Sequence, residues 1–302
     1  MADTPRIGVI GLPGKWSSEA LADAVQARTG ERLLFDMTDV RLDLADNSLW
    51  HGDRNLCELD ALIVKKISAE YSPHTLDRLE LLRAAESAGV RVFSPALSIL
   101  RLIDRLSCTV TLRNAGIPMP ETRVTGNPAD AEKAVRDFGE AVFKPLYSTK
   151  ARGMCVLGAD LPGAKLRARI EEFRSNNPVM YIQRKLDLPG HDLGLVFLGG
   201  RYLGCYARVG SKDTWNTTIH SGGRYRAFDA PDSMIELAER AQGLFELDFT
   251  TVDIAETADG PVVFEVSAFG GFRGAKEGIG IDAAALYCDY VIESLATNRS
   301  DA

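Results

Sequence analysis

Hydrophobic and polar positions follow two different patterns along this chain. In the first 96 residues, short apolar runs are separated by stretches whose apolar residues recur every three or four positions. The short runs predict buried strands and the intervening stretches predict helices, and this alternation is typical of a parallel sheet covered by helices. The predicted strands are 6–11, 32–37, 59–67 and 90–93, the predicted helices are 17–28 and 73–88, and a small hairpin is expected over 40–51.

From residue 97 onward the pattern predicts a different architecture. One helix is expected over 98–115, and another begins at Asn127-Pro128, where asparagine is a favoured N-cap and proline a favoured first helical residue. Apolar runs flank Gly199-Gly200, which is a turn signal for an antiparallel hairpin. The fold class is therefore α/β followed by α+β. The expected units are an N-terminal α/β domain at 1–96 and α+β lobes at 97–186 and 187–302.

Two predicted strands near the C-terminus each carry an acidic residue at a position where a buried strand would be apolar. The strands are 251–256, which contains Asp253, and 261–267, which contains Glu265. Asp259-Gly260 lies between them and is a strong hairpin-turn signal. The sequence therefore predicts an antiparallel hairpin that presents two carboxylates.

The turn decides how these two acids are placed. A three-residue loop would set Asp253 directly opposite Glu265, and a loop with an even number of residues would not. Alternation along the strand is expected to place Glu265 and Ser267 on one face and Phe264 and Val266 on the other. Two carboxylates and a hydroxyl on one face form an oxygen site suited to Mg²⁺. Acidic residues on a solvated sheet face would show the same spacing.

Composition excludes several classes of function. The chain has 302 residues, a formal net charge of −7, 45% hydrophobic residues and 25% charged residues. This balance argues against a general nucleic-acid or anionic-membrane binder, and no apolar run approaches the ~20 residues that span a bilayer. The five cysteines are scattered without a Cys-x-x-Cys pair, so neither zinc nor a disulfide framework is expected. We expect a cytoplasmic protein.

A lysine within an apolar run is the strongest signal for phosphate binding. Lys144 follows Val142-Phe143, and a lysine in a buried strand is costly unless its ammonium has an anionic partner. A lysine at a sheet edge that reaches solvent is the alternative. The following loop, 147–153, is rich in hydroxyl and cationic side chains that could bind phosphate. The glycines of segment 8–15 lack the spacing of phosphate-binding motifs, so a plain strand-to-helix turn is favoured there.

These segments occur in the order found in ATP-grasp ligases. The segment Leu102–Leu106 is followed by Ala115–Thr122, which contains Gly-Ile-Pro, and the pair resembles the entry segment of that family. Over nearly its whole length the chain resembles the RimK-type α-L-glutamate ligases. The run Phe269–Gly280, with its Gly274-Ala275-Lys276, is similar to the GAK-system ATP-grasp enzymes. The resemblance implies an ATP-grasp fold, in which two α+β lobes clasp ATP behind a small parallel α/β domain.

The resemblance also implies roles for individual residues. Asp253, Glu265 and Ser267 would hold Mg²⁺, with Mn²⁺ as an alternative ion, and Arg208 would stabilise negative charge on the transferring group. The residues implied to contact ATP are Arg105, Lys144, Ser148, Gln183, Arg184, Lys185, Leu186, Asp192, Asn216 and Thr218. Within that set, residues 183–186 fall on the adenine hinge and Asp192 on the ribose side.

The implied reaction is the ATP-dependent joining of a carboxylate to an amine through an acylphosphate, with ADP and phosphate as products. The acid and amine, each a small molecule, peptide or protein, are not specified, and a homo-oligomer is compatible with the fold. The chain departs from the family pattern at Arg105, where a lysine is usual, at Ser267, where an asparagine is usual, and at Gly194, where RimK-type ligases have an arginine. These departures leave two alternatives, a regulatory nucleotide-binding protein with little ligase activity and a phosphotransferase that stops at phosphate transfer.

Overall fold

The computed structural model describes residues 4–149, 151–210 and 222–300. Its N-terminal part contains a four-stranded parallel sheet, as the alternating pattern predicts, and a small three-stranded antiparallel sheet. The elements in chain order are β1 (Ile7–Ile10), α1 (Trp16–Thr29), β2 (Leu34–Phe35), β3 (Val40–Asp43), β4 (Ser48–His51), β5 (Arg54–Asn55), β6 (Ala61–Val64), α2 (His74–Ser87) and β7 (Arg91–Phe93). The parallel sheet has the order β2-β1-β6-β7, and the hairpin expected over 40–51 is extended by β5.

The middle of the chain forms a second sheet, which is antiparallel, with two helices packed on it. Its elements are α3 (Ala96–Ile103), α4 (Arg105–Asn114), β8 (Thr122–Thr125), α5 (Pro128–Phe138), β9 (Glu140–Lys144), β10 (Cys155–Gly158), α6 (Gly163–Asn176) and β11 (Met180–Arg184). The sheet order is β10-β9-β11-β8, so β9 and β11 are its central strands. Strand β8 was not predicted, because its sequence, Thr-Arg-Val-Thr, carries little apolar signal.

The single helix predicted over 98–115 is wrong. The chain breaks at Asp104, whose backbone is extended (φ −88°, ψ 115°), and a second helix begins at Arg105. Asp104 Oδ1 accepts a hydrogen bond from Leu106 N at 3.0 Å, which is the N-cap interaction typical of aspartate. The predicted N-cap at Asn127 is confirmed, since its side chain accepts from Ala129 N at 2.8 Å.

The C-terminal part is built on a five-stranded antiparallel sheet. Its elements are β12 (His191–Leu198), β13 (Arg201–Val209), β14 (Arg224–Ala227), α7 (Asp232–Gln242), β15 (Phe249–Thr257), β16 (Gly260–Ser267), α8 (Phe272–Ile279) and α9 (Ala283–Ser300). The order is β14-β13-β12-β15-β16, which makes the predicted acidic hairpin, β15 and β16, one edge of the sheet. Neither β14 nor α8 was predicted. The described residues include no helix with the length and apolarity that crossing a bilayer requires.

The hydrophobic cores divide the molecule differently from the chain order. Two clusters of buried residues combine side chains of the N-terminal sheet with side chains of the C-terminal sheet, as Ile10 and Ile254 do in one and Val9 and Phe249 in the other. A third cluster lies wholly within residues 131–182. The N-terminal and C-terminal sheets therefore share two continuous cores, and together we call them the base. The sheet of β8–β11 with α5 and α6, which we call the small lobe, has a core of its own.

Candidate active site

A cavity of 440 Å³ lies between the sheet of the small lobe and the sheet of the base. Strands β9 and β11 contribute residues to one wall, and β13, β15 and β16 contribute to the other. Every predicted site residue within the described part of the chain lines this cavity, namely Arg105, Lys144, Ser148, Gln183, Arg184, Lys185, Leu186, Asp192, Arg208, Asp253, Glu265 and Ser267. Asn216 and Thr218 lie outside the described residues.

Asp253 and Glu265 lie directly opposite each other, but the turn does not set this register as expected. Thr257 pairs with Gly260, which leaves a two-residue loop, and that loop alone would pair Asp253 with Phe264. A bulge intervenes, because Ile254 pairs with Val263 whereas Asp253 pairs with Glu265. The statement that an even-numbered loop would not oppose these two residues is therefore wrong, because the extra residue of the bulge supplies the shift that was attributed to a three-residue loop.

The bulge also changes which side chains share a face. Val263 and Val266 are both buried in the same core cluster, so the strict alternation expected along this strand is wrong. Phe264, which was expected on the side of the buried Val266, is only half-buried; it lines the cavity, and its ring centre lies 5.3 Å from Lys144 Nζ. The hairpin thus presents one aromatic ring and one carboxylate in succession to the cavity.

Asp253 is the most electrostatically constrained group of the site. Its Oδ2 lies 2.9 Å from Arg208 Nη2, and its side chain is 13% exposed. Its Oδ1 is buried and has no hydrogen-bond partner among the described residues. Burial raises the pKa of this carboxyl to about 7; the nearby charge of Arg208 opposes the rise and the charge of Glu265 adds to it. An unpartnered oxygen on a buried carboxylate is a position where a cation would be strongly stabilised.

Arg208 also binds Asp192, the residue directly opposite it on β12. Arg208 Nε lies 3.1 Å from Asp192 Oδ2, and Nη2 of the same guanidinium contacts that oxygen as well. Although burial alone would lower it, the charges of Asp253 and Asp192 raise the pKa of Arg208 well above its ordinary value. Asp192 was expected at the ribose side, and here its carboxylate holds the arginine that faces the acidic hairpin.

Arg105 connects three parts of the cavity wall. Its Nη1 lies 2.9 Å from Glu265 Oε2, and its side chain is 10% exposed. Its Nη2 donates to the carbonyl oxygen of Ser148 at 3.4 Å, and its Nε donates to that of Pro145 at 3.3 Å. A guanidinium, with its planar set of five donors, makes these contacts at once, which an ammonium at this position would not.

Among the residues that the structure describes, Lys144 has no anionic partner of the kind that its sequence context suggested. Its Nζ donates to Gln183 Oε1 at 2.5 Å, and Gln183 Nε2 donates in turn to Thr122 Oγ1 at 3.0 Å. Burial lowers the pKa of Lys144 to about 7, the charge of Arg105 acts in the same direction, and the charge of Glu265 opposes them. A buried lysine with a neutral partner in a cavity wall would be stabilised by a bound anion.

The two charged residues that follow Gln183 pair with acidic residues of the small lobe. Arg184 pairs with Glu121, and Arg184 Nε lies 2.6 Å from Glu121 Oε2. Lys185 Nζ lies 2.8 Å from Glu140 Oε2. Both residues also line the cavity, as does Leu186. Sequence reasoning placed this segment correctly at the cavity, but it did not predict the two ion pairs.

Tyr206 is a cavity residue that the sequence analysis missed. It lies two positions before Arg208 on the same face of β13 and is only 2% exposed. Its ring occupies the space left by glycines: a methyl group added at Gly194 would lie 2.5 Å from Tyr206 Cζ, and one added at Gly271 would lie 2.5 Å from Tyr206 Oη. The absence of a side chain at Gly194, noted above as a departure from RimK-type ligases, is thus matched by this tyrosine. Its spacing from Arg208 was the signal available in the sequence.

Asp253, Glu265 and Ser267 fit a divalent cation by donor chemistry. Two carboxylates and a hydroxyl are hard oxygen ligands, and the unpartnered Asp253 Oδ1 is the feature that a cation would satisfy. Within the described residues, no cluster of three or more histidine, cysteine, aspartate or glutamate side chains is arranged to hold a metal. The protein would therefore supply few ligands, which is typical of Mg²⁺ sites completed by water and substrate phosphates.

A family model for the RimK-like ATP-grasp domain matches residues 103–291, which is more than half of the chain. The chain belongs to the RimK-like ATP-grasp family. The matched segment begins in α3 and ends in α9, so it includes the small lobe and the acidic hairpin that face each other across the cavity. The resemblance to RimK-type ATP-grasp ligases proposed from the sequence is confirmed.

Curated relatives of this RimK-like protein are ligases by name. The tetrahydromethanopterin:alpha-L-glutamate ligase of Methanosarcina acetivorans is 24% identical, in an alignment that covers 96% of this chain and 98% of the relative. A probable alpha-L-glutamate ligase of Aliivibrio fischeri is 25% identical over 94% of each chain. The enzyme class predicted from the sequence, a ligase that forms carbon–nitrogen bonds, agrees with these names.

Solved structures confirm the ATP-grasp fold. The RimK domain protein of Sphaerobacter thermophilus has a TM-score of 0.73 at 23% identity, covering 94% of this chain and 98% of that one. The ATP-grasp ligase PsnB, solved with a phosphomimetic variant of its minimal precursor, Mg and ADP, has a TM-score of 0.74 at 20% identity and covers 97% and 99%. The D-cycloserine synthetase DcsG has a TM-score of 0.72 at 18% identity and covers 96% and 99%.

Proposed function

We propose that this protein is an ATP- and Mg²⁺-dependent ligase that joins a carboxylate to an amine through an acylphosphate. The observation that carries the proposal is the pair Asp253 and Glu265, set opposite each other on one edge of the cavity with Arg208 and Arg105 bound to them. Family membership, and the ligase names of full-length relatives, support the same reaction class.

The residues of this chain divide the work between the two walls of the cavity. Lys144 and Arg105 bind the phosphates, because both are half-buried basic side chains that line the cavity. The segment from Gln183 to Leu186 binds the adenine. Asp253, Glu265 and Ser267 would hold a Mg²⁺ ion, which would neutralise negative charge on the phosphates of ATP.

Arg208 stabilises negative charge at the reacting centre. It is held from two sides by Asp192 and Asp253, so its guanidinium is fixed before the substrate arrives. The substrate carboxylate attacks the γ-phosphorus and ADP leaves. The amine then attacks the acyl carbon of the acylphosphate, and the tetrahedral species collapses with loss of phosphate. Loop 147–153, whose Ser148 is tied to Arg105, closes over the cavity and excludes water.

Nucleotide binding, followed by product analysis, tests this proposal. ATP with Mg²⁺ should raise the melting temperature of the wild type, and the Glu265→Gln variant should lose the Mg²⁺-dependent part of that rise. No rise with millimolar ATP would refute the proposal. Once ATP consumption is established with a set of acids and amines, an amide product by mass spectrometry identifies the ligase.

The two alternatives raised from the sequence predict other products. A phosphotransferase would release ADP and a stable phosphorylated product without an amide. A regulatory protein would bind ATP without consuming it. The cytoplasmic location and the absence of nucleic-acid and membrane partners remain predictions from composition, as do a homo-oligomer and the use of Mn²⁺. The domain boundaries 1–96, 97–186 and 187–302 are likewise proposed.

A further inference from the structure

A lysine of the N-terminal sheet is buried against the loop that follows the predicted metal ligands. Lys65 comes directly after β6 and is 4% exposed. Its Nζ donates a hydrogen bond to the carbonyl oxygen of Gly270 at 3.0 Å and another to that of Phe269. It also lies 4.0 Å from the ring centre of Phe272. One ammonium therefore joins the N-terminal sheet to the loop between β16 and α8.

This arrangement is unusual for a buried charge. No carboxylate of the described residues lies within ion-pair distance of Lys65, so two carbonyl oxygens and aromatic faces take the place of an anion. Burial, together with the charge of Lys66, lowers the pKa of Lys65 well below its ordinary value. An apolar residue of similar length would avoid this desolvation cost. The hydrogen bonds that Lys65 donates to the loop are therefore the reason for a lysine at this buried position.

The loop that Lys65 holds, Ala268–Gly271, is fastened at other points as well. Gly271 N donates to Thr251 Oγ1 at 2.9 Å, and Thr250 Oγ1 donates to Ser267 O at 2.7 Å. Gly270 has a φ of +43°, and any side chain at that position would collide with the ring of Phe249. The loop is thus held in one conformation by contacts from β15 and from one distant lysine.

The loop lies between Lys65 and the cavity. Phe269, Gly270 and Gly271 line the cavity next to Ser267, whereas Lys65 does not. The peptide bond is planar, so directing the carbonyl groups of Phe269 and Gly270 toward Lys65 also fixes the orientation of the N–H groups in the same peptides. Loss of the ammonium would leave both carbonyl groups without their partner and would allow those peptide planes to rotate.

We propose that Lys65 is a positioning residue of the active site, which fixes the peptide groups of Phe269 and Gly270 so that the loop after Ser267 keeps the geometry required for turnover. The part of this inference that concerns turnover rests on the proposed ligase function. The part that concerns the loop does not. The experiment therefore has two arms, of which the first needs no activity.

The first arm measures amide hydrogen exchange in the loop. The variant is Lys65→Met, which keeps the length of the side chain and removes its donors, and the control is Lys133→Met, at a lysine side chain that is 70% exposed. Exchange of the amides in 268–271 should be about tenfold or more faster in Lys65→Met, with strands β1 and β6 unchanged. Unchanged exchange in this loop would overturn the proposal, whether or not the protein proves to be a ligase.

The second arm separates positioning from general stability. With Mg²⁺, ATP and one pool of acids and amines for all variants, Lys65→Met should bind ATP within about threefold of the wild type and form ADP about tenfold or more slowly. Lys65→Gln, which retains two N–H donors, should recover part of the lost rate. Wild-type turnover by a folded Lys65→Met would overturn the proposal.

Two further outcomes are also informative. If Lys65→Met does not fold, Lys65→Gln is measured in both arms at reduced temperature. Loop exchange and turnover equal to those of the wild type in Lys65→Gln would show that the hydrogen-bond donors, rather than the charge, position the loop. A rate loss in Lys65→Gln equal to its loss of folded protein overturns the proposal, because it shows a structural role alone. If the wild type itself consumes no ATP, the ligase function fails, and the exchange arm still decides the loop.

Discussion

Arg208 and Asp253 are bonded across an intervening strand. Arg208 Nη2 lies 2.9 Å from Asp253 Oδ2, although β13 and β15 are both neighbours of β12 and are not neighbours of each other. The contact passes over the face of β12, where Asp192 binds the same guanidinium. Two carboxylates on two strands are therefore held by one arginine on a third strand.

Replacing that arginine should destabilise the protein more than an ordinary charge loss. Arg208→Met removes the guanidinium that binds the carboxylates of Asp192 and Asp253, and removing one partner of a buried ion pair costs about 3 kcal/mol in the free energy of unfolding. Urea denaturation measures the change. Arg226→Met, on the exposed face of the neighbouring strand, is the matched control and should change the free energy little. Equal effects of the two substitutions would show that the bridge does not stabilise the fold.

Removing the charge of Asp253 should change stability little and abolish activity. Asp253→Asn no longer requires burial of a carboxylate, so the nucleotide-free variant should melt close to the wild type, within about 1 kcal/mol in unfolding free energy. The Mg²⁺-dependent stabilisation by ATP, and ATP consumption, should both be abolished. Thermal shift and ADP formation measure these effects.

Glu256→Gln provides the control for that variant. It is on the same strand, at a carboxylate that lies 3.0 Å from His191 rather than in the cavity, and it should keep both activities. Retention of Mg²⁺-dependent stabilisation by Asp253→Asn would contradict the assignment of this residue as a metal ligand.

Lys144 should couple ATP binding to proton uptake. Its pKa is lowered to about 7 in the nucleotide-free protein, so its amine is largely neutral at pH 8 and largely charged at pH 6. Bound phosphate favours the charged form of Lys144 and raises its pKa. On binding ATP, the protein should therefore take up about one proton at pH 8 and less than that at pH 6. The affinity for ATP should fall as the pH rises through 7. Calorimetry in two buffers of different ionisation enthalpy measures the uptake.

Lys144→Gln separates this lysine from the phosphates of ATP, which also titrate. The variant should bind ATP more weakly, and the proton uptake at pH 8 should be smaller than in the wild type by up to one proton. The same uptake in both proteins would assign the linkage to the nucleotide and would refute the prediction for Lys144.

A methyl group at position 194 should be poorly tolerated. In Gly194→Ala the new Cβ would lie 2.5 Å from Tyr206 Cζ, and such overpacking costs about 1–3 kcal/mol. Tyr206→Leu, which shortens the opposing side chain, should destabilise the wild type but relieve part of the cost of Gly194→Ala. A double-mutant cycle in thermal or urea unfolding measures the coupling. Additive effects would show that the two positions do not compete for space.

Much of the fold could be predicted from local pattern. The alternation of short apolar runs with helical repeats identified the N-terminal sheet, because a parallel sheet with helices on it leaves that signature in every element. The elements that were missed, such as β8 and β14, are short and polar. They form strands because the neighbouring strands β11 and β13 provide backbone hydrogen-bond partners, and the local sequence does not reveal those partners.

The residues of the candidate site could be predicted, whereas their partners could not. All the predicted side chains within the described segments line one cavity. They could be selected from the sequence because the chemical type of each residue and the order of the segments are visible there. The bulge near Phe264 could not be anticipated from the turn signal. A two-residue loop followed by a bulge places Asp253 opposite Glu265, which is the same register that a three-residue loop without a bulge would give. The contact of Lys65 with Gly270 spans 205 positions, and no periodicity reports such a separation.

The division of the cores has a mechanical consequence. The N-terminal and C-terminal sheets share two buried clusters, so moving one against the other would expose apolar surface, whereas the core of the small lobe is separate. Opening the cleft by tilting the small lobe would leave the two shared clusters intact. It would break the hydrogen bond from Arg105 to the carbonyl of Ser148 and the packing of Tyr147 against the base. Exchange of ADP for ATP would then be governed by the lifetime of these few local contacts, and the guanidinium at position 105 would act as the latch.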